Sequence, residues 1–339
     1  VDMSSLGKFE FCGPDACQFL ELTYINTFSN LFVGRCRYGV MLRDDGMILD
    51  DGTVTKLADD RYFVTTTTAQ TRHTQLHFER LLQINYPHLN VAMLPVTEQW
   101  ATLAIAGPKA RDVLQGLHPN FDVSNTAFPF AHYREGELDG LPVRVFRVSF
   151  SGELCFEISI GANFADILWN IVSKVGEKFD IMPYGLEALD IMRIEKGHLN
   201  IGTEIDGKTT VDDLGLSGMM KKDSFFIGKP LLDRMALQCP NRLQLIGLKS
   251  NDCSLTIPRG ALIYDLSGGA KETNSIGHVT ATIYSPTLNY PIALALVQGG
   301  HNRKINSSLI ARSSIEEKSV VVHICSPVFF DPIGERLRV

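Results

Sequence analysis

Hydrophobic and polar positions alternate most regularly from Tyr38 to Thr68, YGVMLRDDGMILDDGTVTKLADDRYFVTTTT. The pattern predicts a meander of three strands, Tyr38–Leu42, Met47–Leu57 and Arg61–Thr68. Asp45-Gly46 supplies the first turn, since both residues tolerate positive φ, and Ala58-Asp59-Asp60 the second. The Asp50-Asp51 pair breaks the rule for the second strand. Successive strand residues point to opposite faces, so if either face is core, one carboxylate points inward. Asp is depleted in strands, and an unpaired buried charge costs several kcal/mol or shifts its pKa. That placement suggests a use.

Before the meander, Phe9-Glu10-Phe11 reads as a strand and Gly13-Pro14 opens a helix over Asp15–Leu22. After it, Gln70–Gln83 reads as a helix with Leu76, Leu81 and Leu82 on its buried side. Trp100–Ala106 is a strand, and Gly107-Pro108 starts a helix that runs to Leu117, with Pro where its missing N–H does no harm. Leu141–Phe150 and Glu153–Ile160 form two strands around a Ser151-Gly152 turn. Phe164–Phe179 carries Phe164, Ile167, Leu168, Ile171, Val172 and Val175 on one helical stripe. Gly185–Lys196 is a further helix stopped by Gly197. Beyond about residue 241 the helices cease. Gln244–Leu248, Ala261–Tyr264, Ser275–Thr282, Ile292–Val297, Leu309–Ala311 and Val320–His323 alternate with polar turns, the signature of a small barrel or sandwich. The fold class is α+β: a body of two interleaved α+β subdomains over residues 1–240, followed by a β-barrel over 241–339.

Composition narrows the function. The chain has 339 residues, 45% hydrophobic and 21% charged, with a net charge of −6. Basic residues form only short runs such as Lys221-Lys222, which argues against a nucleic-acid partner. No apolar run approaches the ~20 residues of a membrane span. The chain opens on Val1 rather than Met and enters a strand-like segment at once, so a piece of a longer polypeptide is expected. Seven scattered cysteines, none in a CxxC pair, fit reduced thiols in a cytoplasmic protein and no zinc site. No GxGxxG, P-loop or GxSxG motif occurs, and Ser267-Gly268-Gly269-Ala270 belongs to a turn; a dinucleotide cofactor would have to sit elsewhere.

Two carboxylate sites remain as candidates. In Ser151–Glu157 and beyond, Leu154, Phe156, Ile158 and Ile160 share an apolar face and leave Glu153, Cys155 and Glu157 on the other. That other face is either solvated or holds a carboxylate ready for paired N–H donors of a planar heterocycle. His73 and His77, at i and i+4, read as surface histidines rather than metal ligands, because no third ligand accompanies them. From pattern alone Trp100 and Phe150 read as core aromatics, Tyr38 equally as a core aromatic or a site residue, and Arg193 with Glu195 as a structural pair rather than the lining of a cavity.

The collinear segments YGVMLRDDGMILDD, VTEQWATLAIAGPKARDVL, FSGELCFEISI, PYGLEALDIMRIEKGHLNIGTEID, FIGKPLL, SPTLNYPIALALV and SPVFFDP resemble the folate-dependent aminomethyltransferase family, which includes the glycine-cleavage T-protein. The likeness covers nearly the whole chain and is greatest to the branch found in the C-terminal half of heterotetrameric sarcosine oxidase alpha subunits. The resemblance implies a three-domain cloverleaf around a hole for tetrahydrofolate. It implies Asp51 as the essential acid, Tyr38 beside it and Glu157 as the pterin-binding carboxylate. Phe150 stands where the family has Tyr, Thr66 near its folate-contacting Asn, and Leu189 at an Arg used by the T-protein. By the same resemblance, a flavin elsewhere oxidises sarcosine and the one-carbon unit is captured on tetrahydrofolate as 5,10-methylenetetrahydrofolate, with glycine released. FAD, FMN and NAD then lie outside this segment, and beta, gamma and delta subunits are the partners. A free-standing aminomethyltransferase, a folate-dependent demethylase and a non-enzymatic binding module stay open as alternatives.

Overall fold

The computed structural model describes residues 1–339 except 222, 251, 253–254 and 267–273. Lys222, Cys253 and the Ser267–Ala270 turn therefore lie outside the described residues.

The first sheet has the order β2-β3-β4-β1-β5. Its strands are β1 (Gly7–Cys12), β2 (Cys36–Leu42), β3 (Ile48–Ala58), β4 (Arg61–Thr66) and β5 (Ala92–Pro95), with helices α1 (Ala16–Thr23) and α2 (Thr71–Arg80) packed on one face. The expected meander is present. Its third strand stops at Thr66, because Thr67 begins a helical turn. Gly52 is required by close approach, since a Cβ there would sit 1.9 Å from the Thr65 carbonyl oxygen.

The second sheet, β6-β9-β8-β7, comprises β6 (Trp100–Ala106), β7 (His132–Leu138), β8 (Leu141–Arg147) and β9 (Cys155–Gly161). Helices α3 (Ala110–Gly116) and α4 (Ala165–Gly176) cover its outer face around Leu154, Phe156, Ile158 and Ile160. Residues at the very start extend this sheet: Met3 N–H donates to the Thr102 carbonyl at 2.8 Å and Ala104 N–H to that of Val1 at 2.9 Å.

Helix α5 (Leu186–Lys196), ended by Gly197 at φ +73°, leads to the third body. That body is a closed antiparallel barrel in the order β10-β13-β12-β11-β14-β15, from β10 (Leu243–Ser250), β11 (Leu262–Asp265) and β12 (Gly277–Ser285) to β13 (Tyr290–Gln298), β14 (Ser308–Ser313) and β15 (Lys318–Cys325). All six expected strands are there. Closure pairs β10 with β15 and leaves the barrel sheet no free edge.

Several expectations are corrected by packing. On α2 the buried positions are Thr74 and Phe78, with Leu81 just beyond; Leu76 is 46% exposed and Leu82 only partly covered. His77 is not a surface histidine: its Nε2 is buried without a partner among the described residues, and burial holds its pKa down at about 4. On α4, Ile167 is exposed while Leu168 and Val172 are buried. Arg193 and Glu195 are not a pair. Arg193 donates to Asp190 and Glu204, whereas Glu195 accepts from Ser285 and Thr287 in the barrel.

Candidate functional site

One face of β2 meets three different surroundings in five residues. Cys36 is buried in a cluster with Phe63, Val96, Tyr133 and Phe146, where the first sheet faces the second. Val40 is buried in another cluster with Ile194 of α5 and Leu245 and Ile292 of the barrel. Tyr38 lies between them on the same face and is 38% exposed. Strand alternation thus places Tyr38 in a gap left between two tightly packed junctions.

The neighbouring strand puts Asp51 in that gap. Val40 pairs with Asp51 and Tyr38 with Thr53, so Asp51 is the diagonal neighbour of Tyr38. The Tyr38 hydroxyl donates to Asp51 Oδ2 at 2.6 Å, and Thr67 Oγ1 donates at 3.2 Å to Oδ1. Burial pushes the Asp51 carboxyl above the usual range, while the Tyr38 and Thr67 hydrogen bonds pull it back. Burial likewise drives the Tyr38 phenol well above its ordinary value, with the Asp51 charge adding to it. Both side chains are densely walled by protein yet reachable from the gap.

Asp50 leaves the opposite face of β3 and is 0% exposed. It accepts from Thr67 Oγ1 at 2.6 Å and from Thr74 Oγ1 at 3.0 Å. Burial raises it to about 7, with the Thr67 bond opposing and the charge of Asp51 contributing. One member of the pair points inward, as strand alternation requires.

Glu157 stands on the second sheet's inner face, opposite Phe146 and Ala104. Phe146 stacks on Phe63 of the first sheet with ring centroids 5.4 Å apart, so this face is covered by the first sheet and is not a solvated exterior. Thr102 and Ser159 satisfy each other there at 2.8 Å, and Arg144 reaches across to Glu10 at 2.6 Å. Glu157 has no hydrogen bond or ion pair among the described residues. Burial raises it to about 7, and the Lys8 ammonium pulls the other way. Lys8 is itself buried on β1, its Nζ donating to the Ser4 and Leu6 carbonyls at 2.8 and 2.9 Å. Burial lowers it to about 8 against the Glu157 charge.

The structure therefore brings Tyr38 and Asp51 together on the first sheet, while Glu157 stands on the facing side of the second sheet beside Phe146. Thr66 is not with them. It is 1% exposed on the reverse face, where a Cβ on Gly7 would lie 2.1 Å from its Oγ1. Thr65 occupies the gap side, bonded to Thr53 N–H at 3.0 Å, and Thr67 reaches the aspartates. Phe150 stacks on His198 at 5.8 Å and accepts from its ring nitrogen at 2.9 Å, tying the second sheet to the end of α5. Leu189 is buried apolar packing and offers no charge. Trp100 is a core aromatic under the Arg144 guanidinium, 4.3 Å from its ring.

A separate cavity of about 570 Å³ opens between β6, α3, α4 and residues 177–184. It reaches Tyr184, whose hydroxyl feels the Cys155 and Glu157 side chains. Tyr38, Asp51 and Glu157 are not among its lining residues. Among the described residues no group of three or more His, Cys, Asp or Glu could hold a metal ion, and no helix is long and apolar enough to cross a membrane.

Comparison with known proteins gives the family and fold of the chain. Residues 1–224 match the family model for the GCVT N-terminal domain, and residues 244–331 that for the glycine cleavage T-protein C-terminal barrel domain. The chain is 42% identical over its whole length to sarcosine oxidase subunit alpha of Rhizobium meliloti and 39% identical to that of Corynebacterium sp. strain U-96. It spans only 34% and 35% of those two relatives. It is 32% identical to an aminomethyltransferase of Chloroherpeton thalassium, covering 94% of this chain and 85% of that one. The crystal structure of aminomethyltransferase T from Bartonella henselae superposes with a TM-score of 0.83 over 98% of this chain and 86% of that one, at 24% identity, and so shares its fold. With both of its domains matched, this chain belongs to the glycine-cleavage T-protein family.

Proposed function

We propose that the gap between β2–β3 and β9 binds tetrahydrofolate, and that this chain is the folate-dependent part of a sarcosine oxidase alpha subunit. One observation carries the reading. Glu157, a carboxylate fixed in mid-strand, accepts no hydrogen bond among the described residues and stands on the face of the second sheet that is covered by the sheet carrying Asp51. A reduced pterin presents a planar set of N–H donors at one end and basic amines further along. Glu157 suits the first and Asp51 the second.

Tetrahydrofolate, as acceptor, supplies the amines on which a one-carbon unit is carried. The chain's own residues do the rest. Tyr38 and Thr67 fix the Asp51 carboxylate in one orientation. Asp51 then stabilises positive charge on a neighbouring amine or removes its proton, with little water to screen the interaction. Glu157 sets the depth and direction of the pterin. Thr53 and Thr65 share the face of the first sheet that carries Asp51, and Phe150, stacked on His198, is assigned to the site from the resemblance.

For the whole protein, this reading has sarcosine oxidised at a flavin outside this chain, with FAD, FMN and NAD bound there and beta, gamma and delta subunits as partners in a cytoplasmic complex. The products are 5,10-methylenetetrahydrofolate and glycine. The folate site is built within residues 1–240, with the barrel over 241–339 closing it. The identities of 42% and 39% to alpha subunits, against 32% to an aminomethyltransferase, favour this branch. A free-standing aminomethyltransferase or demethylase is the second reading, favoured by the 85% coverage of that relative. Flavin in the purified full-length protein decides between them.

The test is Asp51→Ala in the full-length protein, supplied with sarcosine and tetrahydrofolate. Formation of methylene-folate should fall by ~10²–10⁴-fold, the scale of a positioned acid–base group. Oxidation should continue, with formaldehyde released instead. Equal loss of both activities would make Asp51 a structural residue and sink the proposal.

A further inference from the structure

Asp50 and Asp51 leave opposite faces of β3, yet one hydroxyl touches both. Thr67 Oγ1 lies 2.6 Å from Asp50 Oδ1 and 3.2 Å from Asp51 Oδ1. The outer oxygens are already served: Thr74 Oγ1 donates to Asp50 Oδ2 at 3.0 Å and Tyr38 to Asp51 Oδ2 at 2.6 Å. Thr67 has a single proton to share between the two inner contacts. With both carboxyls ionised, that proton fills one contact and leaves lone pairs facing each other in the second. With a proton on Asp50, both contacts are filled in one direction. Asp50 Oδ1–H donates to Thr67 Oγ1, and Thr67 O–H donates to Asp51 Oδ1.

The surroundings provide no other charge balance. No Lys, Arg or His forms an ion pair with either aspartate among the described residues. The remaining titratable groups facing them are phenols. Tyr38 donates to Asp51, and Tyr24, fully buried with its hydroxyl unpartnered among the described residues, is held neutral by burial and by both aspartates. Two carboxyls this close in an enclosed setting titrate as a unit and keep one proton between them.

We propose that Asp50 is the proton-holding partner of Asp51: the pair binds one proton, lodged on Asp50 and relayed as a hydrogen bond through Thr67, so that Asp51 meets its ligand ionised. Asp50 is a positioning residue in this arrangement, acting through Thr67 without touching the ligand. The inference rests on the role given to Asp51 above. The elevation of Asp50 to about 7 by burial agrees with it.

Infrared difference spectroscopy on the folate-free, full-length protein tests it directly. At about pH 6, wild type minus Asp50→Asn should show the C=O stretch of a buried carboxylic acid, and the band should fade as pH rises through about 7. Thr67→Val keeps the acid but removes its acceptor, so the band should persist at higher frequency; this variant answers the question if Asp50→Asn does not fold. A spectrum without that band, or a band indifferent to both substitutions, overturns the proposal. Turnover gives the second readout. Asn imitates a protonated Asp50 as a donor to Thr67, so Asp50→Asn should cost less than ~10-fold, and Asp50→Ala, which leaves Thr67 without that donor, ~10–100-fold. An Asp50→Asn loss as deep as that of Asp51→Asn means the Asp50 charge itself is needed, and the inference is wrong. The infrared arm needs no folate, so a wild type that fails to bind tetrahydrofolate defeats the proposed function and leaves this measurement standing.

Discussion

Buried carboxylates occur in two kinds of place here, and the protein equips them differently. At the junctions between bodies, each has its acceptors filled. Glu204, 0% exposed, takes bonds from Arg193 Nη1 and Thr203 Oγ1 at 2.7 Å and from barrel residue Thr280 at 2.7 Å. Asp213 is gripped by Arg242, and Glu10 by Arg61 and Arg144. Elsewhere, Asp51 receives two side-chain hydroxyls and no cation, and Glu157 no hydrogen-bond donor, among the described residues. A desolvated carboxylate with no hydrogen bond or ion pair is costly to ionise, and burial raises Glu157 to about 7 although the Lys8 ammonium pulls the other way. The contrast separates carboxylates that hold the three bodies together from those kept available for something else.

The junction side should give the largest stability effect. Glu204→Ala removes the bridge between α5, the 200–204 turn and β12, and leaves Arg193 buried with only Asp190 and the His198 carbonyl. Breaking a buried pair in this way costs ~3–5 kcal/mol. Urea denaturation should show that loss. A drop below ~1 kcal/mol would mean that water replaces the bond and that the junction is looser than its distances indicate.

The gap side should respond with the opposite sign. The Glu157 carboxyl is raised from 4.5 to about 7, so the folded state binds more protons than the unfolded chain between those values. Its contribution to stability is therefore present below 4.5 and is lost as pH rises to about 7. Glu157→Gln escapes that loss. The variant should be more stable than wild type at pH 8 by up to ~3 kcal/mol, and should hold no such advantage at pH 4. Tetrahydrofolate affinity, measured by calorimetry, should fall ~10–100-fold, because a charge-assisted acceptor is gone. Equal stability at pH 8 would place Glu157 with the satisfied carboxylates and end the comparison.

How much of this was legible in the sequence depends on whether local periodicity decides it. The meander, the barrel strands and the inward member of the Asp50-Asp51 pair all follow from period-2 alternation over short spans. β5 and β7 were not read as strands. β5 is a short, mostly exposed edge strand, and β7 carries Arg134, Glu135 and Glu137 among its buried Tyr133 and Leu138. Thr66 was placed in the site by position, one residue out of phase. Its place came from the resemblance, which matches the family's Asn only near that position, and in β4 one residue of offset exchanges the two faces. The covered inner face of β9 was equally hidden, since Thr102, Ser159, Arg144 and Glu10 satisfy one another across sheets and look solvated in sequence. Likewise His77 borders a small cavity with Phe225 and Ile227, more than a hundred residues away in sequence, a neighbourhood that the helical periodicity around it does not reveal.

The smallest predicted effect probes the gap most finely. Tyr38→Phe deletes one hydroxyl and leaves the strand, the ring and the packing of Cys36 and Val40 in place. That hydroxyl supports the Asp51 carboxylate at 2.6 Å, so its loss raises the Asp51 pKa further, because burial is then opposed only by Thr67 and the backbone N–H of Asp51 itself. The hydrogen bond is made to a charged acceptor, and its loss should slow one-carbon transfer by ~10-fold near neutrality. The acid limb of the pH–rate profile should move to higher pH, and added base should recover part of the rate. If the position is structural, as a core aromatic would be, rate and stability fall together with no movement of the limb. Since Tyr38 bonds Asp51 and makes no contact with Glu157, its removal should leave the stability advantage of Glu157→Gln at pH 8 unchanged. The two substitutions should then add within ~0.5 kcal/mol, whereas strong coupling would mean that the two walls of the gap respond as one.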